Sequence, residues 1–189
     1  MYSELVKRSE NKSEAFASAG LALIAESGIQ AVSVRSVAAA AGWSAGALQK
    51  TFATKEALLK AAVELMVSRV EQRMDAVPFN GDVVEYLATL VKETLPLDPV
   101  RRDEAIVWNT FAAEAAHTPW IAEILIQQDE AVLNQLADVL RSMGNALPEE
   151  TAAGIIAVSD GFALRMLYDP DRSAQLEGAL TPLIKQLLA

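Results

Sequence analysis

From residue 13 onward, apolar residues recur at three- and four-residue steps, and Gly or Pro mostly stands between the recurring segments. No alternating run of β-branched residues is long enough to make a strand. A chain with that single period has one route to a core, which is helices burying one face each against one another. Ala, the strongest helix former, occupies 34 of the 189 positions, so local propensity points the same way. The expected fold is all-α with about nine helices. The spacing predicts them over 13–27, 34–41, 45–51, 55–77, 83–95, 102–117, 119–143, 149–168 and 172–188. Gly28 and Gly42 stop the first two, and Ser33, Ser44 and Thr54 are suited to cap the second, third and fourth. Pro78, Asn80 and Gly81 break the chain most clearly, and the long helix before them contacts both sides. The functional division is placed at its start, with a three-helix unit over 1–54 and a larger helical part over 55–189.

Composition removes several kinds of chemistry. There is no Cys, so disulfides, thiolate zinc sites and iron–sulfur clusters are excluded. His117 is the sole His, which excludes a His-based metal cluster. The acidic neighbours Asp103/Glu104, Asp129/Glu130 and Glu149/Glu150 diverge on a helix and make no acid–base pair. No nucleophile motif, phosphate loop or metal spacing appears, so neither an enzyme, a metal nor a cofactor is expected. The longest stretch without charge, Ser36–Gln49, has 14 residues and two Gly, too short to span a membrane. The first residues lack the apolar run of a signal peptide, and a cytoplasmic location with no membrane partner is expected.

Charge is unevenly spread. Residues 1–78 carry nine Lys/Arg and eight Asp/Glu, whereas residues 79–189 carry seven and 17. The net charge of −9 therefore belongs to the second part. Salt screens charges beyond about 10 Å, so the near-neutral first part can still face phosphates with Lys7, Arg8, Lys12, Arg35, Lys50 and Lys55. Lys7, Arg8 and Lys12 read either as a disordered arm entering the minor groove or as an ordinary solvated terminus.

The informative stretch is Ser33–Lys55, SVRSVAAAAGWSAGALQKTFATK. It puts two short helices around a Gly turn, the spacing of a helix-turn-helix. Val37, Ala41, Trp43 and Leu48 fall where the two helices share a core. Gly42 suits the left-handed turn that a side chain resists. The second helix, capped by Ser44, presents Ala45, Gly46, Gln49, Lys50 and Thr51 outward. Its small first residues allow close backbone approach to DNA, while Gln49, Lys50 and Thr51 reach base edges or phosphates.

These residues resemble the TetR/AcrR family of transcriptional repressors. The likeness runs from Phe16 to Leu59, through FASAGLALIAESG, SVRSVAAAAGWSAGAL and FATKEALL. It implies a double-stranded DNA operator read by the helix over 45–51, with Ser33 and Lys55 on phosphates and Arg35 on a base. Gln49 departs from the family, which usually has Tyr there packed against the DNA backbone. That change removes a phosphate contact or marks a different operator, since Gln pairs with adenine. Gly20 replaces the usual Ala of the first helix at about 1 kcal/mol of helix propensity.

The remainder resembles the ligand domain of the branch that includes choline-responsive repressors, through WNTFAAEA at 108–115 and DGFALR at 160–165. The resemblance implies a homodimer built on the last two helices. Ile155, Ile156, Phe162 and Met166 make an apolar set on one, and Leu176, Leu180, Leu183, Ile184 and Leu187 a stripe on the other. Such stripes serve a subunit interface or the domain's own core. A small-molecule effector would lie among Met66, Val70, Met74, Tyr86, Trp108, Phe111, His117, Trp120 and Phe162. Met and Trp suit varied apolar ligands, aromatics in an acidic domain suit a cation, and each residue is also a candidate for plain core. His117 caps a helix end or bonds a ligand. The implied function is a ligand-responsive repressor released from an inverted repeat by its effector. The alternative is a dimer of the same fold that has lost sequence-specific DNA binding and acts through partners.

Overall fold

The structure, a computed structural model, describes the backbone of residues 2–189 and the side chains of residues 12–189. Its helices are α1 (Tyr2–Ser27), α2 (Val34–Ala40), α3 (Ala45–Thr51), α4 (Lys55–Asp75), α5 (Val83–Lys92), α6 (Pro99–Ala115), α7 (Pro119–Ser142), α8 (Pro148–Tyr168) and α9 (Ser173–Leu187). Two short 3-10 turns, Ile29–Ala31 and Pro170–Arg172, lead into α2 and α9, and the described residues contain no strand. None of these helices is long and apolar enough to cross a membrane.

Helix starts follow from side chains that satisfy otherwise unpaired backbone N–H groups. The Ser33 hydroxyl accepts from Ser36 N, and Ser36 Oγ accepts from Ser33 N at 2.9 Å, a reciprocal capping box. Ser44 accepts from Ala47 N and Thr54 from Ala57 N. Asp98 accepts from Arg101 N, with Pro99 in the first turn. The start predicted at 102 is therefore corrected to Pro99, whose missing N–H costs nothing there. A larger correction concerns α1, which begins at Tyr2 rather than near residue 13. Residues 2–12 carry too few apolar residues to show a period, but the two Glu, two Lys and one Arg among them suit a helix. The backbone there is helical, so the reading of Lys7, Arg8 and Lys12 as a disordered arm fails. The Lys7 and Arg8 side chains lie outside the described residues.

Two cores hold the helices together. The near core joins Phe16 and Ile24 of α1, Val37 of α2, Leu48 of α3, Leu58, Leu59, Val63 and Met66 of α4, Val107 and Phe111 of α6, and Ile121 of α7. The far core joins Leu87, Val91 and Leu95 around α5, Leu140 of α7, Ile155 and Met166 of α8, and Leu180 and Ile184 of α9. Each large side chain so buried is worth roughly 1.5–3 kcal/mol. Helix α7 runs from one core to the other, with Ile121 and Ile124 in the first and Ala137 and Leu140 in the second. Helices α8 and α9 approach closely at Gly154, where a Cβ would meet Leu187 Cδ2 at 3.2 Å.

Candidate nucleic-acid interface

The reading head is α2, a tight turn and α3. Gly42 makes the turn with φ of 72°, and Trp43 N donates to Ala38 O at 2.8 Å behind it. Val37 and Leu48 are buried beneath the two helices, which fixes their crossing. Ser33, Arg35, Ser44, Gly46, Gln49, Lys50 and Lys55 are exposed, and Ala45 and Thr51 are half-buried. The structure thus brings all nine sequence-selected residues onto α2, α3 and their flanks. Some already have internal partners. Ser33 and Ser44 are caps, Thr51 Oγ1 donates to Ala47 O at 3.0 Å, and Lys55 Nζ donates to Ile29 O at 3.3 Å. The hydrogen bonds and ion pairs among the described residues engage none of the Arg35, Gln49 and Lys50 side chains. Trp43 departs from expectation. It lies at the rim and is 39% exposed, with its ring edge-on to Phe16 at 6.4 Å and Lys12 Nζ 4.5 Å from its centroid.

The residues selected for an effector do not form one cluster. Met66 and Phe111 are buried in the near core, with Trp108 and Trp120 packed against it. Phe162 packs against the far core. Val70 and Met74 are half-buried farther along α4. Tyr86 meets Phe79 edge-on at 5.4 Å, and His117 is exposed just past α6. A recess of about 470 Å³ opens elsewhere, between the starts of α6 and α9 and the end of α8, lined by Leu97, Arg102, Met166 and Pro170 among others. None of the residues selected for the effector lines it.

An ion cluster that no sequence pattern signals lies where α4 meets α5 and α6. Arg73, in the last turn of α4, donates through two nitrogens to the Glu104 carboxylate, at 3.1 Å for Nη1 to Oε1. Its Nη2 also donates to Glu93 O at 3.3 Å, and Nε lies 3.3 Å from Glu93 Oε2 without hydrogen-bond geometry. Arg101 Nη1 lies 3.5 Å from Glu93 Oε1, and Arg101 Nε is 2.7 Å from Asp98 Oδ2. The hydrogen bond to Glu104 pushes the Arg73 pKa up, against the opposing effect of burial. The backbone N–H of Arg101 holds the Asp98 carboxyl below its ordinary value. Partners 20 and 31 residues away leave no local spacing signal for such a cluster. Asp160 behaves oppositely, since surrounding protein and then the charge of Asp129 push its pKa up.

Four residues selected for a subunit interface, Ile155, Met166, Leu180 and Ile184, are buried in the protomer's own far core. Phe162, Leu176 and Leu187 pack against that core, and Ile156 and Leu183 are half-buried. The outward face of α8 instead carries Ala153, Ala157, Asp160, Leu164 (48% exposed) and Tyr168 (66% exposed), and that of α9 carries Ala174, Gly178 and Pro182.

Comparison with known proteins agrees with this geometry. Residues 17–62 match the bacterial regulatory proteins of the tetR family, and residues 83–189 match the C-terminal part of BetI-type transcriptional repressors. The HTH-type transcriptional regulator PksA of Bacillus subtilis (strain 168) is 26% identical over 171 residues, spanning 86% of this chain and 82% of its own. A solved transcriptional regulator from Rhodococcus sp. Rha1 is 35% identical with a TM-score of 0.86, covering 93% of this chain and 95% of that one. A regulator from Saccharomonospora viridis, solved in complex with choline, shares the fold at a TM-score of 0.78 and 21% identity, over 93% of this chain and 96% of that one. With the helix-turn-helix matched at one end and more than half its length at the other, the chain belongs to the TetR family of bacterial transcriptional regulators, its C-terminal part being of the BetI type.

Proposed function

We propose that this regulator is a ligand-responsive repressor that reads an inverted-repeat operator as a homodimer and is released by a small-molecule effector. The observation that carries the proposal is the exposed, internally unengaged set Arg35, Gln49 and Lys50 on a helix-turn-helix with fixed turn geometry. Arg35 and Gln49 are suited to base edges, because each presents paired groups in one plane. Lys50 and Lys55 are suited to phosphates, with the Ser33 and Ser44 hydroxyls beside them. Ala45 and Gly46 leave room for the backbone to approach the groove, and Thr51 completes the set through its methyl group. The function divides near 54/55, with the reader before that point and the sensor and dimer surface after it.

The dimer surface is assigned to the outward faces of α8 and α9. Leu164 and Tyr168 supply exposed apolar area, and Ala153, Ala157, Ala174 and Gly178 allow close helix approach. Two copies joined there must hold their α3 helices one DNA turn apart, about 34–36 Å. The effector is assigned to α4, α6 and α8, which carry Val70, Met74, Trp108 and Phe162. Aromatic side chains in a strongly acidic part suit a small organic cation, the class of ligand held by the Saccharomonospora viridis relative.

Release follows from α4, which starts at the reading head and ends in the Arg73 cluster. An effector that binds better to a splayed dimer shifts the population away from the DNA-competent spacing. Coupling of about 1–3 kcal/mol changes operator occupancy roughly 5- to 150-fold. The test is selection of random duplex DNA by the purified protein, then binding at two salt concentrations. An enriched inverted repeat with steep salt dependence is expected. A folded dimer that enriches no sequence and binds DNA without salt dependence would refute the reading. It would favour a dimer acting through protein partners.

A further inference from the structure

We infer that Lys12 and Trp43 form a pre-assembled phosphate clamp on the α1 side of the reading head. The inference rests on the DNA-reading function proposed above and adds a contact outside the helix-turn-helix. Lys12 is half-buried, and its ammonium sits 4.5 Å from the centroid of the Trp43 ring. Among the described residues, no carboxylate lies within ion-pair distance of Lys12. A surface lysine left to solvent samples many rotamers, whereas this one is held against an aromatic face.

The ring is itself fixed. Phe16, fully buried, meets it edge-on at 6.4 Å, and the backbone N–H of Trp43 is tied to Ala38 O. Trp43 directly follows Gly42, whose φ of 72° sets the turn, and directly precedes Ser44, which caps α3. The Lys12 ammonium therefore stands one side chain away from the start of the recognition helix. The Trp43 indole N–H donates to no described residue although 39% of the residue is exposed. A fixed cation and a free N–H donor at one rim are the chemistry that takes a phosphate oxygen. Ordering the lysine before DNA arrives removes most of the entropy it would lose on binding. Because α1 is helical throughout 2–27, the clamp also ties that helix to the edge of the bound duplex.

The test uses the full chain and a duplex enriched by the wild-type protein, with Lys12→Ala, Trp43→Leu, the double variant and Trp43→Phe. The readout is the slope of log affinity against log salt, on the enriched duplex and on an unrelated one. Each phosphate-contacting lysine contributes about one unit of slope, so a dimer losing both copies loses about two. Lys12→Ala and Trp43→Leu should each lower the slope by about two and weaken binding equally on both duplexes. The double variant should go no further, and Trp43→Phe, which keeps a ring face, should retain the slope. Thermal unfolding without DNA separates contact from packing. A Lys12→Ala slope equal to wild type would overturn the clamp even if the unfolding midpoint fell. So would a Trp43→Leu slope equal to wild type beside a reduced Lys12→Ala slope, because the ring would then not be holding the lysine. Steep wild-type binding with unaffected variants leaves the DNA-reading function standing and removes this inference alone. Wild-type protein that binds no DNA removes both.

Discussion

The near core is aromatic at its centre and the far core is aliphatic. Phe16 and Phe111 are fully buried in the first, with Trp108, Trp120 and Phe52 around them. The second is Leu, Ile, Val, Ala and Met, with Phe162 only partly buried beside it. They differ in reach as well. The near core draws on α1 to α4 and also on α6 and α7, so the reading head has no separate core of its own. The far core stays within α5, α7, α8 and α9 and the turns beside them. A head with its own core could rock on a hinge without disturbing the sensor. A head that packs against Val107 and Phe111 of α6 shares its core with that helix, so a displacement of either disturbs the packing of the other.

The hardest test of that contrast is Phe111→Ala. Removing a buried Phe costs about 3–5 kcal/mol. The loss should appear in the reading head as well as the sensor, as one unfolding transition followed by circular dichroism and by amide exchange in α2 and α3. Unchanged exchange in α2 and α3 would show that the head is independently stable. Next in size is Arg73→Ala, which strips Glu104 of its cation and leaves Glu93 with Arg101 alone. With the group partly exposed, roughly 1–3 kcal/mol is expected in denaturant unfolding. Operator affinity without effector should change less than the effector-induced release does, since the cluster sits at the sensor end of α4. An equal change in both would argue against a coupling role.

Gly42→Ala is expected to cost about 1–2 kcal/mol through backbone strain alone. A Cβ there meets nothing within 4 Å, and φ is 72°. Its effect should fall on operator binding more than on the far core, read by comparing affinity with the unfolding midpoint. Gly20→Ala should act in the other direction. Its Cβ would meet Ala62 Cβ at an ordinary 3.9 Å, so the near core gains about 0.4–1 kcal/mol and the midpoint rises. The smallest effect belongs to Asp160→Asn beside the far core. The Asp160 pKa is raised in the folded state, first by desolvation, so its favourable contribution is present at low pH and lost as pH rises through that value. The variant should therefore be more stable than wild type at neutral pH. The two should agree near pH 3, below the ordinary Asp value of about 3.9. Equal midpoints at both pH values would show that Asp160 is not strained by its surroundings.

The head was legible because its signals are local. Ser33, Ser44 and Thr54 cap within three residues of themselves, and Gly42 marks a turn by a property of one residue. The boundaries of α2 and α3 follow from those residues alone. The N-terminal half of α1 was not legible as helix, because after Tyr2, Leu5 and Val6 the sequence has no apolar residue until Ala15 with which a period could continue. The last two helices show a different limit. The apolar stripe of Leu180 and Ile184 says that a face is buried but not against what, and the far core turned out to be the partner. The outward Leu164 and Tyr168 carry no period distinct from it. For the effector residues, helical spacing brought Trp108 and Phe111 near Met66, but nothing local could separate Phe162 into the other core.

Because Phe16 and Phe111 lie in one core, the order of synthesis matters. The head's own helices are complete when α4 has emerged, yet Val107 and Phe111 are still to come. At about 5–20 residues per second, the roughly forty residues from the end of α4 to the end of α6 take some 2–8 s to follow. Throughout that interval the nascent head presents the apolar face that α6 will cover. A protein built this way asks its cell to shield the DNA-reading end, which is made first, until the sensing end has arrived.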